Sequence, residues 1–395
     1  MVVQPKVKGF MCTTAHPEGC KESVRRQIEY VKSQPKAEGP KKVLVLGASM
    51  GYGLASRIAL TYACGADSIG VIFDKPGKEK RTASAGWYNT AAFEQFAQND
   101  GHYAKSINGD AYSQEIKEET IALIKKDFGQ VDMVIYSLAA PRRKAPDGVT
   151  YRSVLKTVDK EFTNQSIDLL TNELTTVTIP PATEEEINDT IKVMGGEDWM
   201  LWMEALQEAD VLADGAKTVA YSYIGPELTY PIYDGSIGQA KQDLYRTADK
   251  INEHIQGTEA YVAVNKAVVT QSSSAIPIVP LYISILFKVM KELNLHEGCI
   301  EQMYRLVHDR LCVEGEVPTD ENHLIRMDDY EMKPEVQEEV KKIWEKISPE
   351  NLSELTDIDG YWQEFYEIFG FRIEGVDYDA DVNIQTSIPS IISAE

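Results

Sequence analysis

The sequence predicts an α/β protein, an extended Rossmann fold built on a doubly wound, mostly parallel sheet of the short-chain-dehydrogenase type. Three observations predict it. Continuous β-branched and leucine runs recur along the chain, helical periodicities separate them, and the first run ends in a glycine-rich turn. Strands buried on both faces lose the alternation of a half-solvated sheet, and strand–helix alternation favours parallel pairing.

In order, KKVLVLGAS (41–49) is the first strand with its exit turn, DSIGVIFD (67–74) the second and NGDA (108–111) the end of a third. VDMVIYSLAAP (131–141), KTVAYSYIG (217–225) and AYVAVNKAVV (260–269) repeat the pattern. Helical patterns fill 113–128 and 236–256. The second of these opens at Ser236 with Gln239 three residues on, which predicts a capping box. The apolar run from Ala275 to Phe287 is too short to span a bilayer and contains Pro277 and Pro280, so it is expected as a buried core helix. No linker-like shift in composition interrupts the alternation. The expectation is therefore one Rossmann-type domain over 1–395, with a less regular lobe inserted at about 145–215 and an acidic, partly helical cap from about 330 to 395.

At 395 residues and a net charge of −22, the chain is long enough for a large core and too acidic for nucleic acid or an anionic membrane to be a general partner. The first residues lack the apolar segment of a secretory signal, and five cysteines fit reduced thiols in a cytoplasm. Cys12, His16 and Cys20 are evenly spaced in CTTAHPEGC, but a structural zinc site needs four ligands and no second pair stands nearby. A packed N-terminal loop is expected there and no metal.

GASMGYG (47–53) sets Gly47, Gly51 and Gly53 between a strand and a helix. That spacing lets backbone N–H groups approach a pyrophosphate at a helix N-terminus, with Ala48, Ser49, Met50 and Tyr52 lining the turn. Asp74 ends the second strand, where a carboxylate accepts from the adenosine ribose and repels a 2′-phosphate. NADH is thus the expected cofactor. Ligands sit at the carboxyl edge of such sheets, which adds Asp110 and Ala111 on the adenine side and Leu138 and Ala139 on the nicotinamide side.

Lys241 falls on the same helical stripe as Ile237, Leu244, Ala248, Ile251 and Ile255. A lysine turned inward is costly without partners, and a ribose diol with a neighbouring phenol would supply them. Tyr233 precedes that helix, and Tyr223 ends the strand before it. The usual dehydrogenase spacing, a tyrosine with three residues before a lysine, occurs nowhere, which disfavours simple alcohol–ketone chemistry. Arg142, Arg143 and Lys144 form a basic triplet expected to meet an anionic part of the substrate.

The blocks VKGFMCTTAHPEGC, GASMGYG, SAGWYNTAAF, INGDAY, YSLAAPRR, YSYIGPELTYPIY, GSIGQAK and VVTQSSSAIPIVPLY, spread over nearly the whole chain, closely resemble the FabV-type enoyl reductases, also called trans-2-enoyl-CoA reductases. The resemblance implies hydride transfer from NADH to the β-carbon of a trans-2-enoyl thioester, on CoA or on acyl carrier protein. It implies Tyr233 as proton donor, Lys241 as its polarising and ribose-holding partner, and Tyr223 as a substrate contact. Phe73, Val268, Val269 and Thr270 join the cofactor residues on the same ground, and the Ala275–Phe287 segment closes over the acyl chain. The chain departs from the family at two places. Seven residues separate Tyr233 from Lys241, one fewer than the family pattern, and Met50 replaces a hydroxyl residue. A non-catalytic dinucleotide sensor and a carbonyl or alcohol dehydrogenase are the alternative functions. A monomer is expected.

Overall fold

The computed structural model describes residues 1–8, 11–229 and 235–391. Its centre is a seven-stranded sheet made of β1 (Lys42–Leu46), β2 (Asp67–Ile72), β3 (Ala104–Asn108), β4 (Val131–Tyr136), β5 (Leu212–Ser222), β6 (Thr258–Val264) and β7 (Leu324–Arg326). The spatial order is β7-β6-β5-β4-β1-β2-β3, and every pairing is parallel. The order reverses between β1 and β4, the crevice where such folds bind ligands.

Burial explains the unbroken apolar runs. Val43, Leu44, Val45 and Leu46 are all fully buried, and their alternation feeds two different cores. Val43 and Val45 join one core with residues of α1 (Pro17–Ser33), α2 (Gly51–Cys64) and α3 (Ala85–Asn99). Leu44 and Leu46 join the other with α4 (Gln114–Asp127). Short β7 was not anticipated, because its three residues in ENHLIRMDD are too few to carry a periodicity.

Residues 145–215 contain the helices α5 (Glu184–Met194) and α6 (Glu197–Glu208), and an antiparallel ribbon pairing Phe162–Asp168 with Glu173–Ile179. A shorter ribbon, Arg142–Lys144 with Thr150–Arg152, leads into them. Helix α6 is no peripheral piece: Trp199, Trp202, Met203 and Leu206 are fully buried in the second core.

The long helix expected at 236–256 is α7 (Ser236–His254). Its predicted stripe is buried, with Leu244 and Ile251 at 2% and 0% exposure. The capping box is not there. Gly235 is the N-cap, and the Ser236 hydroxyl instead donates to the Val154 carbonyl at 2.5 Å while its N–H reaches the Lys156 carbonyl at 2.9 Å. A serine one position inside the helix satisfies the incoming lobe rather than its own first turn.

The expected helix at 275–287 also starts later, as α8 (Val279–Glu292). Pro280 fits a first turn, where its missing N–H costs nothing, whereas Ser273–Ala275 form a separate 3-10 turn. Ile278, with φ at +75°, makes the joint. Beyond it lie α9 (Cys299–Leu306), α10 (Pro334–Lys346) and α11 (Ile358–Ile368). Helices α10 and α11 pack on α8, with Val336, Val340, Tyr361 and Phe365 fully buried. The chain then returns to α3 and β3. Trp87 Nε1 donates to the Thr386 carbonyl at 2.6 Å, the Tyr88 hydroxyl to that of Ile384 at 2.7 Å, and the Ser390 hydroxyl to Glu94 at 2.7 Å.

At the N-terminus, the His16 ring nitrogen Nδ1 caps α1 by accepting from the Gly19 N–H at 3.1 Å. Cys20 is buried, and the Cys12 thiol donates to the Thr14 carbonyl.

Candidate active site

The glycine turn leaves β1 at Gly47, whose φ of +81° suits glycine alone, and enters α2 through Gly51 at +53°. A Cβ on Gly53 would stand 1.9 Å from the Gly47 carbonyl oxygen, so the turn closes only with glycine there. Met50, the N-cap, makes no side-chain cap bond. The first turn of α2 therefore keeps its N–H groups and its positive dipole end for an anion. Ala48 is fully buried, the Ser49 carbonyl is held by Asn89 Nδ2 at 3.2 Å, and Leu138 packs beside Gly47. Ala139, one residue on, is exposed. The Tyr52 phenol points inward, donating to the Lys266 carbonyl at 2.6 Å, so only its backbone belongs to the turn.

Asp74 sits one residue beyond an exposed phenylalanine, Phe73, at 78% exposure. Its Oδ1 accepts from the Ser84 hydroxyl at 2.7 Å, and Asn108 pins its backbone from β3 through both the N–H and the carbonyl. Both carboxylate oxygens lie 2.5 Å from where a Gly86 Cβ would be. Burial raises the Asp74 pKa, and the hydroxyls of Ser49 and Ser84 offset part of that rise. Among the described residues its buried Oδ2 accepts no well-formed hydrogen bond, the Ser49 hydroxyl acting on the carboxylate without the geometry of one. A buried acceptor left open beside an apolar ring fits a ribose diol with its base, so these residues fit NADH. Ser84 and Gly86 were not singled out from sequence, since a serine before a helix reads as an ordinary cap.

Asp110 closes the turn into α4, its Oδ1 accepting from the Tyr112 N–H at 3.0 Å. Ala111 is buried, and its carbonyl accepts from Lys117 Nζ and Trp202 Nε1. Val268 and Val269 are buried just past β6, and Thr270 exchanges hydrogen bonds with Ser273. All these positions follow the carboxyl ends of parallel strands and so share one edge of the sheet.

Lys241 is half-buried on α7 and donates from Nζ to the Tyr221 carbonyl at 3.0 Å. Burial of the ammonium pulls its pKa from the usual lysine value down to about 8. No carboxylate pairs with it among the described residues, so an ammonium with three donors keeps two to spare. Tyr233 lies outside the described residues. Tyr223 follows β5 directly, with its phenol over Gly225, where a Cβ would stand 2.6 Å from the hydroxyl. That hydroxyl donates to Oε1 of Glu331 at 3.0 Å. Glu331 is fully buried, yet in DDYEMKPEV it reads as one more acidic residue on a solvated turn.

The basic triplet is divided. Arg142 and Lys144 are exposed, but Arg143 is buried at 2% and bonds Glu197 at 2.6 Å and the Lys192 carbonyl at 2.7 Å. Its alternate direction along the short ribbon sends it into a cluster with Asp198 and Lys117, themselves bonded at 2.8 Å. Arg143 is thus a buried structural charge, and reversing it would test folding rather than substrate binding. Charge reversal at exposed Arg142 instead tests substrate binding, with a higher KM for the thioester and an unchanged one for NADH expected.

His296 Nε2 lies 3.0 Å from Glu364, and its ring stands edge-on to Phe287. Cys299 and Cys312 are half-buried, and the Cys312 sulfur lies 3.8 Å from that of Cys64.

Comparison with known proteins bears on the same regions. Residues 2–79 match the family described as the NAD(P)H binding domain of trans-2-enoyl-CoA reductase, and 81–312 match its catalytic region. Residues 319–382 match one described as an enoyl reductase FAD binding domain. This last segment does not fit a flavin. Trp344, Tyr361 and Phe365 are buried in the core, and Gly370 is wedged on the α1 N-terminus, its Cβ position 2.4 Å from Cys20 N.

The trans-2-enoyl-CoA reductase [NADH] of Ruminiclostridium cellulolyticum is 56% identical over 99% of this chain and all of its own length. The enoyl-[acyl-carrier-protein] reductase [NADH] of Coxiella burnetii is 54% identical over 99% of this chain and 98% of its own. The crystal structure of Clostridium acetobutulicum trans-2-enoyl-CoA reductase with NADH superposes with a TM-score of 0.95 at 44% identity, covering 98% of this chain and all of that one. The Treponema denticola enzyme with NAD gives 0.93 at 46%, over 98% and 99%. The chain belongs to the trans-2-enoyl-CoA reductase family.

Proposed function

We propose that the protein reduces the double bond of trans-2-enoyl thioesters with NADH, as an oxidoreductase of fatty acid metabolism. The observation that carries the reading is Lys241: a cation drawn inside by its helix, with donors to spare, at the sheet edge that also bears the glycine turn and Asp74. Bound NADH supplies a hydride to the β-carbon. Asp74 Oδ2 and Lys241 hold ribose hydroxyls, and the open first turn of α2 takes the pyrophosphate. Negative charge then grows on the thioester oxygen, where a donor already in place lowers the barrier. Tyr233 is that donor and gives the proton to the enolate. The Lys241 charge favours loss of the phenol's proton. Tyr223 contacts the substrate, and α8 lies over the acyl chain. Gly47, Ala48, Ser49, Met50, Gly51, Tyr52, Phe73, Asp110, Ala111, Leu138, Ala139, Val268, Val269 and Thr270 line the cofactor.

Relatives carry both CoA and carrier-protein names. A net charge of −22 favours CoA, since an acidic carrier protein would be repelled. Arg142, exposed, is the residue this reading gives to a CoA phosphate. The chain acts as one Rossmann unit with its lobe at about 145–215 and its cap from about 330, as a cytoplasmic monomer. Among the described residues no helix is long and apolar enough to cross a membrane.

Loss of NADH absorbance with crotonyl-CoA, with crotonyl-carrier protein and with a ketone tests the reading. The expected order is CoA fastest, carrier protein slower and ketone inert. Turnover of the ketone alone would favour a dehydrogenase, and NADH binding without turnover a sensor.

A further inference from the structure

Glu331 lies between β7 and α10, fully buried, with both carboxylate oxygens engaged. Its Oε1 accepts the Tyr223 phenol at 3.0 Å and the Tyr282 phenol at 2.6 Å, and its Oε2 accepts the Ala267 N–H at 2.7 Å. Gln337 Nε2 braces the group, donating to the Tyr282 hydroxyl at 3.2 Å and the Glu331 carbonyl at 2.7 Å. Among the described residues no cation bonds to it. Lys266, also fully buried, spends its Nζ on the carbonyls of Ala267 and Glu297 and helps only through its charge. Burying a carboxylate is costly, and an apolar residue would fill the place with less loss to the fold.

Three elements meet at this carboxylate, and each has a part in the proposed reaction. Tyr223 is the substrate contact, Ala267 directly precedes the cofactor-lining Val268, and Tyr282 is on the helix over the acyl chain. Burial raises the Glu331 pKa, and the Tyr282 and Ala267 hydrogen bonds with the Lys266 charge oppose that rise. As a carboxylate Glu331 only accepts, so both phenols donate to Oε1. A phenol has one proton. With it given to Glu331, the Tyr223 ring and hydroxyl are fixed in one orientation.

We infer that Glu331 is a positioning residue for enoyl reduction, holding the Tyr223 phenol in the one orientation in which it contacts the substrate. This rests on the enoyl-reductase reading. Glu331→Gln probes it with little change of shape. The Ala267 N–H is a fixed donor and takes the amide oxygen, which leaves the NH2 group facing both phenols. Both then accept, and Tyr223 loses the acceptor that fixes its hydroxyl.

The experiment is a double-mutant cycle on kcat with crotonyl-CoA, using Glu331→Gln, Tyr223→Phe and the pair. Glu331→Gln should lower kcat about tenfold in the wild type and less than about twofold in the Tyr223→Phe background, with the Kd for NADH changed less than about twofold. An equal loss in both backgrounds, or none in either, overturns the proposal. Full activity of Tyr223→Phe overturns it as well, by removing Tyr223 as a contact, whereas a wild type inert toward crotonyl-CoA removes the reductase reading beneath it. Should Glu331→Gln fail to fold, Tyr282→Phe replaces it: a loss of about threefold that vanishes without the Tyr223 hydroxyl supports the role, and an undiminished loss refutes it.

Discussion

Lys241 shows how a single side chain can be legible from periodicity alone. Its place on an apolar stripe predicted an inward ammonium, and the depressed pKa follows from that burial. The folded value of about 8 lies below the reference of 10.5. Between them the unfolded chain binds more protons than the folded one, so stability of the cofactor-free protein rises with pH across that window. Below it the folded state carries the full cost of an internal cation, at most about 3 kcal/mol. Urea midpoints from neutral pH upward should therefore rise in wild type relative to Lys241→Met. For Tyr233→Phe, kcat should fall by about a hundredfold or more while NADH affinity holds within about twofold, as steady-state rates and fluorescence titration would show. Glu331 and Arg143 were not legible in this way, because a charge within a polar stretch gives no sign of which face it takes.

Helices and strands carried stronger signals than their ends did. The glycine turn was readable because three glycines between a strand and a helix answer one backbone requirement. Ser236 was misread because sequence marks a hydroxyl near a helix start without telling which neighbour receives it. Helix α3 holds the more instructive case. Ser84 at its N-terminus bonds the Asp74 carboxylate and Gly86 leaves room for it, so α3 sets the carboxylate proposed for the cofactor's ribose without being on the glycine turn. Gly86→Ala would force that carboxylate aside. NADH binding should weaken about tenfold or more with the fold retained, measured by fluorescence titration and circular dichroism.

At the scale of the whole molecule, parallel topology was legible because crossover helices separate nearly all its strands. Strand order then follows from right-handed connections with few choices left. The return of the C-terminal segment to α3 and β3 was not legible, since a polar, proline-bearing tail has no periodicity to show what it covers. Ile384 and Ile388 are buried at 5% and 1%. Truncation before Asn383 should destabilise the protein by about 3 to 6 kcal/mol from these two side chains, read as a lower urea midpoint. NADH affinity should drop with it, since the lost segment braces the helix behind Asp74.

That tail has a consequence for dissecting the chain. Trp87 and Tyr88 give their protons to carbonyls 299 and 296 residues further on, so the half that carries the glycine turn does not complete its own hydrogen bonds. Expressed as a fragment without residues 384–386, it hands those two donors to water.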